Sequence, residues 1–100
     1  MKVMMIEQVP AATWRSWVEN NRATVLDVRE PAEWNLGTLP DAELIALNDL
    51  PRRTADLDRA KPLLIVCRSG NRSNMAARFL AQTGFKAANL AGGMVALGQA

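Results

Sequence analysis

One hundred residues, 49% of them hydrophobic, suffice for one compact domain with a single core, residues 1–100, and are too few for two. The net charge is only +2 and the twelve basic residues are scattered, so no basic stripe exists to hold nucleic acid. One cysteine and no histidine exclude an internal disulfide and leave no expectation of a metal or other cofactor. No stretch approaches the roughly 20 apolar residues of a membrane span. The opening MKVMMIEQVP is interrupted by Glu7 and is too short for the apolar part of a secretory signal, so the expected location is cytoplasmic.

The first apolar run, VMMI at 3–6, predicts a strand. PAATWRSWVENN (10–21) predicts a helix, with Pro10 in its first turn and Trp14, Trp17 and Val18 spaced to share one buried stripe. TVLDV (24–28) predicts the second strand, and a short helical turn follows at 31–36. AELIAL (42–47) predicts a third strand, with another helical turn after Asn48. PLLIVC (62–67) is apolar at 63–66 without interruption, which predicts a central strand covered on both faces. SNMAARFLAQTG (73–84) predicts a helix capped by Ser73, apolar through Met75, Ala76, Phe79 and Leu80, and ended by Gly84. AANLA (87–91) is the weakest strand signal because alanine is a poor strand former, and a last helical turn starts at Gly93. Strands alternating with helices predict an α/β fold with a parallel sheet and helices on both faces. Ligands of such sheets bind at the carboxyl ends of the strands, which is where Cys67 falls.

The stretch VCRSGNRSN (66–74) carries the chemistry. Between the end of a strand at Cys67 and the start of a helix near Ser73 the chain must turn sharply. Gly70 is free to take positive φ, and Asn71 tolerates it well. Such a turn points successive backbone N–H groups into one concavity, and the helix terminus with Arg68 and Arg72 adds positive charge. The same field favours the thiolate of Cys67, which then needs no histidine base. The residues alone leave a second reading open: a lone cysteine ending an aliphatic strand can be buried filler beside a solvated turn.

Taken together, VLDVREPAEWNLGTLPDA (25–42), LIVCRSGNRSNMAARFLAQTGF (64–85) and NLAGGMVAL (89–97) resemble the rhodanese (sulfurtransferase) family, in the right order and over nearly the whole chain. The resemblance implies a three-layer α/β/α fold with a central five-stranded parallel sheet, and a nucleophilic cysteine that carries sulfur as a persulfide. It makes Cys67 the catalytic residue and Arg68, Ser69, Gly70, Asn71, Arg72 and Ser73 the substrate-binding loop. Arg68 and Arg72 match positions whose side chains contact the anionic donor; Ser69, Gly70 and Asn71 contribute mainly backbone N–H groups; Ser73 caps the helix and reaches the sulfur. The implied partners are a small anionic donor such as thiosulfate, favoured by the two arginines, and an external thiol or cyanide as acceptor. Asp27 and Arg29 match an Asp-x-Arg element, read either as the rim of the site or, in preference, as part of an ion-pair network with Glu30 or Glu33, and Gly92 and Gly93 match a Gly-Gly element of close backbone approach.

Three departures from the family pattern stand out. Thr38 replaces a fold-stabilising histidine, Asp41 replaces a small residue in a turn, and Leu97 is the nearest apolar substitute for a tryptophan after the Gly-Gly element. A cysteine phosphatase or arsenate reductase is the nearest catalytic alternative, but those enzymes place five residues between Cys and Arg, whereas four separate Cys67 from Arg72. The alternative from another class is a persulfide relay or protein-interaction module of the same fold, with Trp34 as a docking residue or, more ordinarily, a core one.

Overall fold

A computed structural model describes residues 5–99. Its strands are β1 (Glu7–Val9), β2 (Thr24–Asp27), β3 (Glu43–Leu44), β4 (Leu63–Val66) and β5 (Ala87–Leu90). Its α-helices are α1 (Trp14–Asn21), α2 (Pro31–Trp34), α3 (Leu50–Arg53), α4 (Asn71–Gln82) and α5 (Gly93–Ala96). All neighbours in the sheet order β1-β5-β4-β2-β3 are parallel, which is the expected α/β architecture.

The apolar run at 62–67 became the central strand because every residue of β4 is buried. Side chains alternate across a strand. Leu63, Ile65 and Cys67 therefore join Ala76, Ala77 and Leu80 of α4 and Leu50 of α3 in one core layer. Leu64 and Val66 join Trp14 of α1, Met94 of α5, Val25 and Leu90 in the other. The parity of β4 thus decides which layer holds the sulfur.

The edges depart from expectation. Positions 3 and 4 of the first predicted strand lie outside the described residues, and Met5 and Ile6 are not paired; the strand is Glu7–Val9. The predicted 42–47 strand shrinks to Glu43–Leu44, both exposed, although Ile45 N–H still reaches the Asp27 carbonyl at 3.1 Å. Edge strands touch solvent, so polar residues such as Glu7 and Gln8 serve there, and apolar runs point to the wrong register. Pro10 precedes a short 3₁₀ turn, Ala11–Thr13, instead of lying within the helix. Asp41 takes a left-handed φ of 59° in its turn, and Leu97 packs half-buried against the second core layer.

At the end of β2, Asp27 and Arg29 are buried and paired: Arg29 Nε reaches both carboxylate oxygens at 3.0 Å, and Nη2 donates to Asp27 Oδ2 at 2.8 Å and to the Gly37 carbonyl at 2.7 Å. This pair ties the end of β2 to the turn after α2. Asp27→Ala leaves a buried guanidinium without its carboxylate and is expected to cost about 3–5 kcal/mol in urea unfolding. Asp27→Leu combined with Arg29→Met removes both charges and should lose clearly less; an equal loss in both variants would contradict a role for the unpaired charge.

Candidate active site

Gly70 takes φ 101° and caps α4, so Asn71 opens the helix and needs no positive φ. The cap is therefore not Ser73, which is the third residue of α4 and fully buried. Being one turn in, Ser73 aims its hydroxyl at the strand end instead of at the helix terminus. Met75, expected on the packed stripe, is instead 62% exposed, and Ala77, which was not expected there, packs into the core. Gly84 has φ 98°, as expected at the end of this helix.

Cys67 follows β4 and is completely buried, so it does not stand at an exposed strand end; the loop folds over it. Its burial does not make it filler. Sγ accepts from the Gly70 N–H at 3.1 Å and from Ser73 Oγ at 3.2 Å. Burial pushes the thiol pKa up, but the Ser73 hydroxyl and the N–H groups of Ser73, Gly70 and Ser69 outweigh it, and the thiol is held below its ordinary value. A core thiol packed among aliphatic groups has no use for such donors.

The Ser73 hydroxyl has one proton and two acceptors, Sγ and Asn89 Oδ1 at 2.5 Å. With a neutral thiol, S–H can donate to Oγ while the hydroxyl serves Asn89; with a thiolate, the hydroxyl turns to sulfur. Asn89 is held in turn, its Nδ2 donating to Gln8 Oε1 at 2.8 Å and to the Gly70 carbonyl at 3.2 Å. Sequence reading missed Asn89 and Gln8. For Asn89 the available signal was an amide side chain within a strand that burial would otherwise make apolar; exposed Gln8 on the edge strand gave none. Ser73→Ala removes a donor to the charged form, so the pH at which Cys67 alkylation reaches half its maximal rate should rise. An unchanged or lower midpoint contradicts the assignment of Ser73 to the thiolate.

Of the two arginines, Arg68 is exposed and makes no ion pair among the described residues. Arg72 is not open toward a donor. Its Nη1 and Nη2 meet Glu33 Oε1 and Oε2 at 2.7 and 2.9 Å, a bidentate pair. The Arg72 hydrogen bonds hold the Glu33 carboxyl down to about 2, so it is ionised throughout the neutral range. The ion-pair network expected around Asp27 is thus two separate pairs, Asp27–Arg29 and Glu33–Arg72. The expectation that both arginines favour a small dianion is corrected accordingly, because one of the two charges is already neutralised. Trp34 is half-buried, and its Nε1 is enclosed without a hydrogen-bond partner among the described residues.

The backbone behind the loop is closed by α5. Met94 and Val95 N–H groups donate to the Cys67 and Arg68 carbonyls, each at 2.9 Å. Gly70 lies against Gly92, where an added Cβ would sit 3.2 Å from the Gly92 nitrogen. This is the close backbone approach expected of the Gly-Gly element. A groove of about 290 Å³ beside the loop is lined by Ser69, Gly70, Asn71, Asn74, Asn89 and Gly92, among others, all uncharged.

A profile of the rhodanese-like domain matches residues 11–100. The chain belongs to the rhodanese-like domain family. It is 35% identical over 94 residues, 93% of this chain and 91% of the relative, to YtwF of Bacillus subtilis (strain 168), a protein named provisionally as a sulfurtransferase. A protein of Allochromatium vinosum named sulfurtransferase is 37% identical over 73 residues, 72% of this chain and 68% of its own length. The crystal structure of a rhodanese-like domain protein from Staphylococcus aureus superimposes with a TM-score of 0.84 at 27% identity, covering 91% of this chain and 90% of that one. The rhodanese-like domain described here is therefore of a sulfurtransferase type. Among its described residues no helix is long and apolar enough to cross a membrane.

Proposed function

We propose that this rhodanese-like domain, taken as one unit over residues 1–100, moves a sulfane sulfur from thiosulfate or another persulfide donor to an external thiol or cyanide. Cys67 carries the sulfur as a persulfide. The observation that carries this reading is the pair of donors converging on the buried Cys67 Sγ, the Gly70 N–H at 3.1 Å and the Ser73 hydroxyl at 3.2 Å.

In the first half-reaction the Cys67 thiolate attacks the outer sulfur of the donor. A new S–S bond forms at Sγ, the donor's S–S bond breaks, and its electron pair leaves on sulfite or on a thiolate. In the second, a thiolate or cyanide attacks the outer sulfur of the persulfide, and Cys67 leaves as thiolate. Both resting and loaded forms are anions, so one ring of donors stabilises both. Arg68 would supply charge at the rim, Arg72 would lie beside the groove in its pair with Glu33, and Asn71 and its neighbours would shape the groove. This chain has a single cysteine, so no second thiol of its own can unload the first and the acceptor is external. A carrier thiol that must stay reduced between turnovers fits a cytoplasmic setting.

The test is to incubate the protein with thiosulfate, and separately with an alkyl persulfide generated in situ, remove excess donor and weigh the intact protein. One added sulfur, released by cyanide as thiocyanate, is the expected result. No added sulfur with either donor overturns the proposal.

A further inference from the structure

We infer that Glu33 selects the sulfur donor: by holding Arg72 in a bidentate pair it withholds that cation from a dianion and tilts loading toward alkyl persulfides over thiosulfate. The inference rests on the carrier role proposed for Cys67.

The pair is built to persist. Glu33 is the third residue of α2, with Pro31 fixing the first turn of that helix. Its Oε1 also accepts the Glu30 N–H at 3.1 Å, while the Glu30 side chain accepts the Glu33 N–H, so a reciprocal capping box holds the carboxylate in place. Arg72 lies in the first turn of α4, 39 residues away, and both of its terminal nitrogens are committed to the two Glu33 oxygens. The side chains are only 34% and 24% exposed, which limits competition from water. Among the described residues Arg68 is then the one loop arginine whose charge is not cancelled by an ion pair.

Charge counting gives the consequence. Attack of the Cys67 thiolate on thiosulfate gathers three negative charges in the site, and they remain three as persulfide plus sulfite. Attack on an alkyl persulfide gathers two, conserved as Cys67 persulfide plus thiolate. A neutral Arg72–Glu33 pair does nothing for either sum, whereas an uncompensated Arg72 favours the larger one. The difference is one unit charge at close range in a partly desolvated site, which corresponds to about tenfold in relative donor use.

The experiment compares kcat/KM for sulfur loading from thiosulfate and from an alkyl persulfide in the wild type, Glu33→Gln and Glu30→Gln. Glu33→Gln keeps the shape of the side chain and an oxygen for the Glu30 N–H; Glu33→Met, uncharged and of similar reach, carries the same expectation should the first variant fold poorly. The thiosulfate-to-persulfide ratio should rise about tenfold in the Glu33 variant, mainly through a lower KM for thiosulfate. Added salt should shrink that rise. A ratio that stays within twofold of wild type, or that rises equally in Glu30→Gln, overturns the inference. Absence of loading from both donors in the wild type would instead overturn the carrier role of Cys67, so the two failures are distinct.

Discussion

Cys67→Ser is expected to take up no sulfur from thiosulfate or from an alkyl persulfide, so its intact mass should be unchanged after incubation with either. The reason is acidity. A free thiol titrates at ~8.5, and the hydroxyl and N–H donors around Cys67 hold it below its ordinary value despite burial, which favours the thiolate. A hydroxyl begins too far above that value for the same donors to ionise it, and no persulfide can form on oxygen. The substitution should otherwise be mild. The hydroxyl oxygen introduced at position 67 would still accept from the Gly70 N–H and the Ser73 hydroxyl, which lie 3.1 and 3.2 Å from Sγ. The site is fully buried and the replacement is slightly smaller, so no clash arises. Retained cooperative unfolding with complete loss of loading is therefore the expected pair of results. Equal loading of wild type and Cys67→Ser would move the sulfur to another atom and remove the proposed mechanism.

Gly93→Ala is expected to be the most damaging single-methyl change near the site. Gly93 has φ 59°, a conformation that costs an L-residue about 1–2 kcal/mol. An added Cβ would also lie 2.6 Å from the Arg68 carbonyl carbon and would overlap the Cys67 carbonyl oxygen. These are backbone atoms of the cysteine loop, so no flexible side chain can yield. Either α5 or the loop must shift, and with it the Met94 N–H bond to the Cys67 carbonyl. A loss of about 2–5 kcal/mol follows, which for a chain of this size lowers Tm by roughly 10–20 °C. Sulfur loading measured below the transition should slow as well, because the donors around Sγ move with the loop. Gly98→Ala separates the two causes: Gly98 also has a positive φ, 76°, but an added Cβ there meets nothing within 4 Å. It should cost about 1–2 kcal/mol and leave loading unchanged. Equal losses in the two variants would attribute the whole effect of Gly93→Ala to backbone strain and none to the collision.

Several features are legible in the sequence because they depend on neighbours along the chain. The unbroken apolar run 63–66 marks a strand covered on both sides, and its period of two sets which layer Cys67 enters. Gly70 marks the turn that needs positive φ, and a cysteine followed by that turn and a helix is a local arrangement of amides. The ends of the sheet were illegible for the opposite reason. Glu7–Val9 and Glu43–Leu44 are strands through their pairing partners, Ala88 to Leu90 and Leu26 to Asp27, and not through their own hydrophobicity.

The charges of the site follow the same division. That Arg68 and Arg72 follow the cysteine is a statement of sequence; that Arg72 is spent on Glu33 and Arg68 is not is a statement of packing. The pair forms because α2 is set against the start of α4, bringing together residues 39 apart. Asn89 is a second instance, an amide on β5 that reaches the cysteine through Ser73 of α4. Local sequence thus determined the fold class, the central strand and the cysteine loop, since hydrophobic period and turn chemistry act over a few residues. Only the tertiary structure decided which cations remain available and which groups compete for the Ser73 proton, because electrostatics and hydrogen bonding depend on distance in space.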